Sequence, residues 1–279
     1  MTLKLNSIHT FVISLPHESL RRKTIQKKLN GVCERFEFFD AIDGRKVNLL
    51  QHKDYHGLRR RLCYGKDLTQ GELGCFFSHR AVLEKIVTKE IPISLIFEDD
   101  VILQKDFRVV LESLINCPYP WEAVRFLGKP KIATLMQTKV LTLYKDYYLT
   151  RLATSPGGAY AYIISYDGAK KLLKSMKRIS CPNDTIMGLP WKSGLDVLTI
   201  QPEIATWDKD FESAIGDGRF EKNIALYDTE TDLFIKPQWV EKINLMDEAW
   251  VINHEMMSSS KNSGVNIPIK IVPHATDFS

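Results

Sequence analysis

The run Ile91-Pro92-Ile93-Ser94-Leu95-Ile96-Phe97 ends abruptly in three consecutive acids, Glu98-Asp99-Asp100. A continuous apolar run of this length reads as a strand buried on both faces, as in a sheet covered by helices. A chain organised around such a strand is expected to fold as α/β. In open α/β sheets, ligands bind outside the carboxyl ends of the strands. Three carboxylates there repel one another unless something positive lies between them. A divalent cation with oxygen ligands is the simplest candidate. The competing reading is a strand that runs out into a solvated acidic turn.

Composition narrows the function classes. The chain has 279 residues, 44% hydrophobic and 26% charged, enough for one large α/β domain with an appendage. A net charge of +4 is too small to imply nucleic-acid binding. Residues 1–90 nevertheless hold 17 Lys and Arg against 10 Asp and Glu. That excess suits an anionic ligand such as a diphosphate, the edge of an anionic membrane, or a solvated surface. The five cysteines form no CxxC pair and leave one odd, which fits a reducing cytosol better than a disulfide framework or a zinc site. The N-terminal segment lacks a charged stretch followed by a long apolar one, and no apolar run approaches the roughly 20 residues that span a bilayer. A cytoplasmic location is therefore expected.

Taken in order, Ile8 to Leu15 reads as the first strand, followed by a helix over 18–30 with Leu20, Thr24, Ile25 and Leu29 facing inward. A second strand runs from Phe36 into the Asp43-Gly44 turn. Residues 45–68, polar and basic, read as a surface excursion near the ligand. Thr69 and Glu72 have the spacing of a capping box and open the strongest helix. Within it, Gly71, Gly74 and Ser78 form a small-residue stripe, so either a neighbouring segment or a ligand approaches closely. Glu72, Cys75 and His79 share another side. Further helices are expected at 107–114, 166–177 and opening within 179–185, strands at 124–128, 159–165 and 196–204, and a hairpin within 141–152. The tail carries an expected helix at 237–253 and a polar, Ser-rich segment at 258–264. There is no GxGxxG and no Walker motif, so neither dinucleotide nor P-loop chemistry is supported.

These residues carry a family resemblance. Val12-Ile13-Ser14-Leu15 with Arg21, the Phe39-Asp40-Ala41-Ile42-Asp43-Gly44 turn, Leu68-Thr69-Gln70-Gly71-Glu72-Leu73-Gly74-Cys75 with Ser78-His79, Phe97-Glu98-Asp99-Asp100-Val101, and Gly158-Ala159-Tyr160-Ala161-Tyr162 with Gly168-Ala169 stand in one order. Together they resemble glycosyltransferase family 25, over roughly residues 8–215, with the bacterial lipooligosaccharide galactosyltransferases as the branch favoured. The resemblance implies a GT-A-like α/β domain over 1–218, with a mixed, mostly parallel sheet flanked by helices, and a C-terminal helical or irregular extension, 219–279, packed on it. It also implies a UDP-sugar donor, Mn²⁺ or Mg²⁺, and inversion at the transferred sugar.

On that basis Asp100 is assigned to the metal, Glu98 to the metal or its water shell, and Asp99 to the donor ribose or sugar. Glu98 and Asp100 are expected on one side of an extended segment. Ser14, Leu15, Arg21, Ala41, Asp43, Gly44 and Ser78 are expected on the donor side, and Gly157 and Gly158 let backbone approach the donor. Inversion needs one general base, and Asp184 is the choice by resemblance; its competing role is that of a helix cap. A glycan on the sequon Asn183-Asp184-Thr185 would block such a site. Asp208 and His254 are candidates for a third metal ligand. The expected acceptor is a lipid-linked oligosaccharide of the lipopolysaccharide core, with peripheral contact to the inner membrane. The rival readings are a metal-dependent phosphohydrolase or nucleotidyltransferase, and a UDP-sugar-binding module without turnover.

Overall fold

The computed structural model describes residues 3–33, 35–127, 137–152, 157–208, 224–226, 240–241, 243–246 and 248–272. The chain divides into two compact units, Met1–Gly216 and Asp217–Ser279.

The first unit begins with β1 (His9–Ser14), α1 (Ser19–Leu29), β2 (Glu37–Asp40), α2 (Gly57–Tyr64), α3 (Gln70–Thr88), β3 (Ile93–Glu98), β4 (Val101–Leu103) and α4 (Phe107–Ile115). It continues with β5 (Ala123–Arg125), the hairpin β6 (Gln137–Tyr144) and β7 (Tyr147–Leu152), β8 (Ala161–Ser165), α5 (Tyr166–Ser175), α6 (Asn183–Met187), α7 (Pro190–Ser193), β9 (Val197–Gln201) and β10 (Ala205–Trp207). One eight-stranded sheet has the order β2-β1-β3-β8-β5-β9-β7-β6, and β10 pairs separately with β4. This is the α/β plan implied by the resemblance, a sheet flanked by helices, with one correction: the sheet is evenly mixed rather than mostly parallel. β1 runs parallel to β2 and β3, and β5 to β9, but β8 is antiparallel to both neighbours and β7 antiparallel to β9 and β6. The Lys145-Asp146 link between β6 and β7 is too short for a parallel crossover, so it can only make a hairpin.

Side-chain alternation splits the core in two. Val12, Leu95, Phe97 and Ile163 face one side of the sheet with Ile25 and Leu29 of α1 and Phe107, Leu111 and Leu114 of α4. Phe11, Ile96, Tyr162 and Ile164 face the other side with Leu73, Phe76, Leu83 and Ile86 of α3 and Leu172 of α5. The same alternation sends Glu98, two residues after Ile96, towards α3.

Three local expectations are corrected. Leu20 is 68% exposed, and Arg21 takes the inward position of α1 with Ile25 and Leu29. Residues 45–68 are folded rather than a loose excursion, with a 3-10 turn at Leu49–Gln51 and α2. They are pinned because Tyr55 donates to Asp67 while accepting from Leu68 N–H, and buried Arg60 donates to the Lys66 carbonyl. Beyond β3, Asp99 and Asp100 form a turn before β4, so the acids do not continue an extended strand.

In the second unit, β11 (Ile224–Leu226), β12 (Glu248–Val251) and β13 (Ile269–Ile271) form a parallel sheet, with α8 (His254–Asn262) between the last two strands in sequence. The expected helix over 237–253 is therefore interrupted by β12, where Ala249 and Val251 take buried positions at strand spacing. Most of the Ser-rich segment lies in α8, which Asn253 caps through the Met256 N–H at 2.8 Å. Its serines bond back to the helix: Ser258 donates to the His254 carbonyl and Ser260 to that of Met256.

Candidate active site

The acidic end of β3 meets three elements, and each acid meets a different one. Glu98 accepts from His79 Nε2 at 3.0 Å, and Cys75 Sγ stands 4.0 Å from the same oxygen. His79 is fully buried, and its Nδ1 lies 3.0 Å from the Tyr162 hydroxyl. Asp99 turns the other way. Its Oδ2 accepts from the Ser14 hydroxyl at 2.7 Å, and its Oδ1 pairs with Arg21 Nε at 2.9 Å. Asp100 Oδ2 lies 3.3 Å from the other arm of the Arg21 guanidinium. The inward turn of Arg21 thus balances two of the three charges.

One imbalance remains. Burial first, then the charge of Glu98, pushes the Asp100 carboxyl up to about 7, with Arg21 pulling against both. Asp100 Oδ1 is buried with no hydrogen-bond partner among the described residues. Burial also raises the Asp99 carboxyl, opposed by Ser14 and Arg21. An orphaned buried carboxylate oxygen beside a second carboxylate is what a hard divalent ion with oxygen ligands would satisfy. Glu98 and Asp100 therefore fit such an ion. Of the further ligand candidates, Asp208 donates its N–H to the Asp100 carbonyl at 2.7 Å, but its side chain pairs with Lys28 at 2.8 Å. His254 belongs to the second unit, at the start of α8.

Two cavities meet at these acids. The first is lined by Ser14, Leu15, Arg21, Ala41, Asp43, Gly44, Gly71, Cys75, Ser78, Glu98, Asp99 and Asp100 among others. It therefore gathers every residue expected on the donor side up to the acidic turn. Several of them are also braces. Ser78 donates to the Gly74 carbonyl and accepts from Ile42 N–H at 2.8 Å, and Asp43 binds the Arg45 side chain and backbone. Arg45 holds the Asp43 carboxyl below its ordinary value. The small-residue stripe of α3 serves the segment 42–44. A Cβ on Gly74 would stand 2.6 Å from the Ile42 carbonyl oxygen, and one on Gly44 would collide with the Gln70 carbonyl.

The second cavity is lined by Glu72, Cys75, Glu98, Asp100, Gly157 to Tyr160, Pro182 to Thr185, and Trp207. Asp184 Oδ2 accepts from Gly158 N–H at 2.8 Å and its Oδ1 from Thr185 N–H at 2.7 Å. The helix cap is Pro182, which offers no side-chain bond, so Asp184 is a clasp between α6 and the 157–158 turn. Gly158 has φ +106, a conformation that favours glycine. Its carbonyl accepts from Arg125, a 1% exposed guanidinium inside β5 that sequence reasoning overlooked. Burial lowers Arg125 to about 10, with the Asp184 charge opposing. The one signal was a cation inside the apolar run Val124-Arg125-Phe126-Leu127. Tyr160 and Trp207, 5.7 Å apart between ring centroids, add an aromatic wall that was likewise overlooked.

Cys75, Glu98 and Asp100 thus line both cavities. The family model described as glycosyltransferase family 25 (LPS biosynthesis protein) matches residues 7–187, which takes in both cavities up to Asp184. The chain belongs to glycosyltransferase family 25. Family members similar to it include a cattle (Bos taurus) protein named probable inactive glycosyltransferase 25 family member 3, 30% identical over 190 residues, covering 62% of this chain and 29% of the relative. Procollagen galactosyltransferase 1-A of Xenopus laevis is 26% identical over 181 residues, covering 62% and 29%. Human procollagen galactosyltransferase 2 is 27% identical over 177 residues, covering 58% and 27%. The match to this chain thus spans less than a third of the length of these relatives. A solved glycosyltransferase involved in glycosylation of the major capsid of PBCV-1 is 12% identical, with a TM-score of 0.32 over 60% of this chain and 65% of that one. No described helix is long and apolar enough to cross a membrane.

Proposed function

We propose that this family 25 member is an inverting, metal-dependent transferase that moves a sugar, galactose, from a UDP-sugar to a saccharide of a lipid-linked lipopolysaccharide core. The observation that carries the reading is the wall shared by the two cavities, because transfer requires donor and acceptor to meet at one reacting atom. The donor diphosphate occupies the first cavity, beside Arg21 and segment 41–44. The acceptor sugar occupies the second, against Trp207 and Tyr160, whose rings offer an apolar face to a sugar ring. A divalent ion held by Glu98 and Asp100 would supply charge neutralisation for the leaving diphosphate.

The remaining work belongs to side chains of this protein. Arg21 holds Asp99 and Asp100 in place from the α1 side. Asp184 takes the proton of the acceptor hydroxyl as its oxygen bonds to the anomeric carbon and the carbon–phosphate oxygen bond breaks, the electron pair leaving with UDP. Arg125 fixes the 157–158 turn, and with it Asp184. The cytoplasmic face of the inner membrane is the proposed location, reached through the basic surface of residues 1–90.

The experiment is a panel of UDP-sugars with truncated lipooligosaccharide acceptors, with and without Mn²⁺, read by mass spectrometry. Free UDP plus a glycoside carrying one added hexose supports the proposal; phosphate or pyrophosphate as product defeats it. A second reading is a UDP-sugar-binding module without turnover, favoured by the word inactive in the names of several relatives. Metal-dependent UDP binding without product across the whole panel would establish that reading instead.

A further inference from the structure

Cys75 and His79 are one helical turn apart on α3 and face the end of β3. Cys75 Sγ, a ring nitrogen of His79 and a carboxylate oxygen of Glu98 all lie within 4.8 Å of one another. We propose that these three side chains form a site for a borderline-soft divalent cation of the zinc class, separate in ligand chemistry from the oxygen-ligand ion assigned to Glu98 and Asp100.

The geometry is close to what such an ion needs. With Zn–S near 2.3 Å and Zn–N and Zn–O near 2.0–2.2 Å, a tetrahedral site has an N···O edge of about 3.4 Å and an S···O edge of about 3.6 Å. The corresponding separations are 3.0 Å for His79 Nε2 to Glu98 Oε1 and 4.0 Å for Cys75 Sγ to Glu98 Oε1. Each of these two edges has to change by only about 0.4 Å, and the third, from Cys75 Sγ to the His79 ring, is no longer than 4.8 Å. Both cavities open on Cys75 and Glu98, which leaves a path for the ion and a fourth position for water. Tyr162 completes the arrangement. When Nε2 of His79 ligates, its ring proton sits on Nδ1 and the Tyr162 oxygen, 3.0 Å away, accepts it. A partner on the second ring nitrogen is the usual way a ligating histidine is oriented.

The proton balance is explicit. The ion takes Cys75 as the thiolate, releasing one proton, while His79 stays neutral and moves its proton from Nε2 to Nδ1. Thiolate and imidazole prefer zinc over Mg²⁺ or Mn²⁺. A zinc-class ion there also withdraws Glu98 from the oxygen-ligand ion. This consequence for turnover rests on the proposed transferase, while occupancy of the site does not.

The test reads binding directly. Metal-free full-length protein is titrated with Co²⁺ and followed by absorbance. The wild type should show a thiolate-to-cobalt charge-transfer band at one equivalent, bleached by added Zn²⁺. Cys75→Ser should lose the band, and Cys63→Ser, which removes the exposed thiol, should keep it. The X-ray absorption fine structure of the zinc-loaded wild type needs no variant and should show one sulfur at about 2.3 Å with nitrogen or oxygen neighbours at about 2.0–2.2 Å. Absence of the band, its survival in Cys75→Ser, or a zinc shell without sulfur overturns the proposal. Protein that shows the band with Co²⁺, yet transfers no sugar when a separate metal-free portion is given Mn²⁺ alone, upholds the site and defeats the transferase reading alone.

Discussion

Asp184 Oδ2 accepts the backbone N–H of Gly158 at 2.8 Å. This bond ties the first turn of α6 to the turn that leads into β8, and its partner bond to Thr185 N–H uses the other oxygen. Asparagine can replace only one of these two acceptors, because its amide nitrogen would face an N–H. Asp184→Asn is therefore expected to cost about 1–2 kcal/mol of stability as well as activity. General-base loss adds a fall in kcat of roughly 10²–10⁴-fold, with UDP and metal affinity retained. Kinetics, melting and UDP titration on the same preparation check this. A variant that melts early but turns over normally would leave Asp184 as a clasp only.

Asp100 predicts a pH dependence of stability. Its carboxyl rises to about 7 in the folded protein from an ordinary 3.8, so folding takes up a proton between those values. The group's contribution to stability is full below the unfolded value, declines as pH rises, and is lost above about 7. Asp100→Asn should raise the melting temperature of metal-free protein at pH 8 and change it little at pH 4. Added Mn²⁺ should stabilise the wild type at pH 8 and not the variant. Urea titrations of both proteins across that range decide it.

Arg21→Met keeps the stem of the side chain and removes the cation between Asp99 and Asp100. Breaking a buried pair in this way costs roughly 3–5 kcal/mol. Arg21→Lys restores charge but not the fork that reaches both carboxylates, so it should recover part of the loss. Thermal melts of the three proteins, with UDP binding as the second readout, give the comparison.

Gly74→Ala is expected to cost about 1–3 kcal/mol despite the better helix propensity of alanine. Its Cβ meets backbone atoms of Ile42 and Gly44, which cannot rotate away. Donor affinity should fall with stability, since segment 42–44 floors the first cavity. A stable Gly74→Ala protein with unchanged UDP affinity would show that the seam yields.

Much of this site was readable in the sequence, because its acids follow an apolar run and strand alternation then decides where Glu98 points. The capping box at Thr69 and Glu72 formed as spaced, with both bonds present. What escaped was decided by tertiary charge. Nothing local in α1 says that Arg21 turns inward while Leu20 faces solvent; the attraction comes from Asp99 and Asp100, far along the chain. Arg125 escaped for the same reason, since its partner is a carbonyl in a distant turn. The direction of β8 was also hidden, because an apolar strand looks alike in parallel and antiparallel pairing. In the tail, β12 displaced an expected helix where short apolar runs fit either period.

The seam between Gly74 of α3 and segment 42–44 has a mechanical consequence. A contact that cannot admit one methyl group cannot slide, so that segment and α3 form a single rigid body. The floor of the first cavity then has no hinge of its own, and a nucleotide entering it finds the surface already shaped. In the second cavity Gly158, with φ +106, is instead tied by hydrogen bonds to one carboxylate and one guanidinium. On the proposed function, the donor nucleotide is therefore expected to be recognised by lock and key.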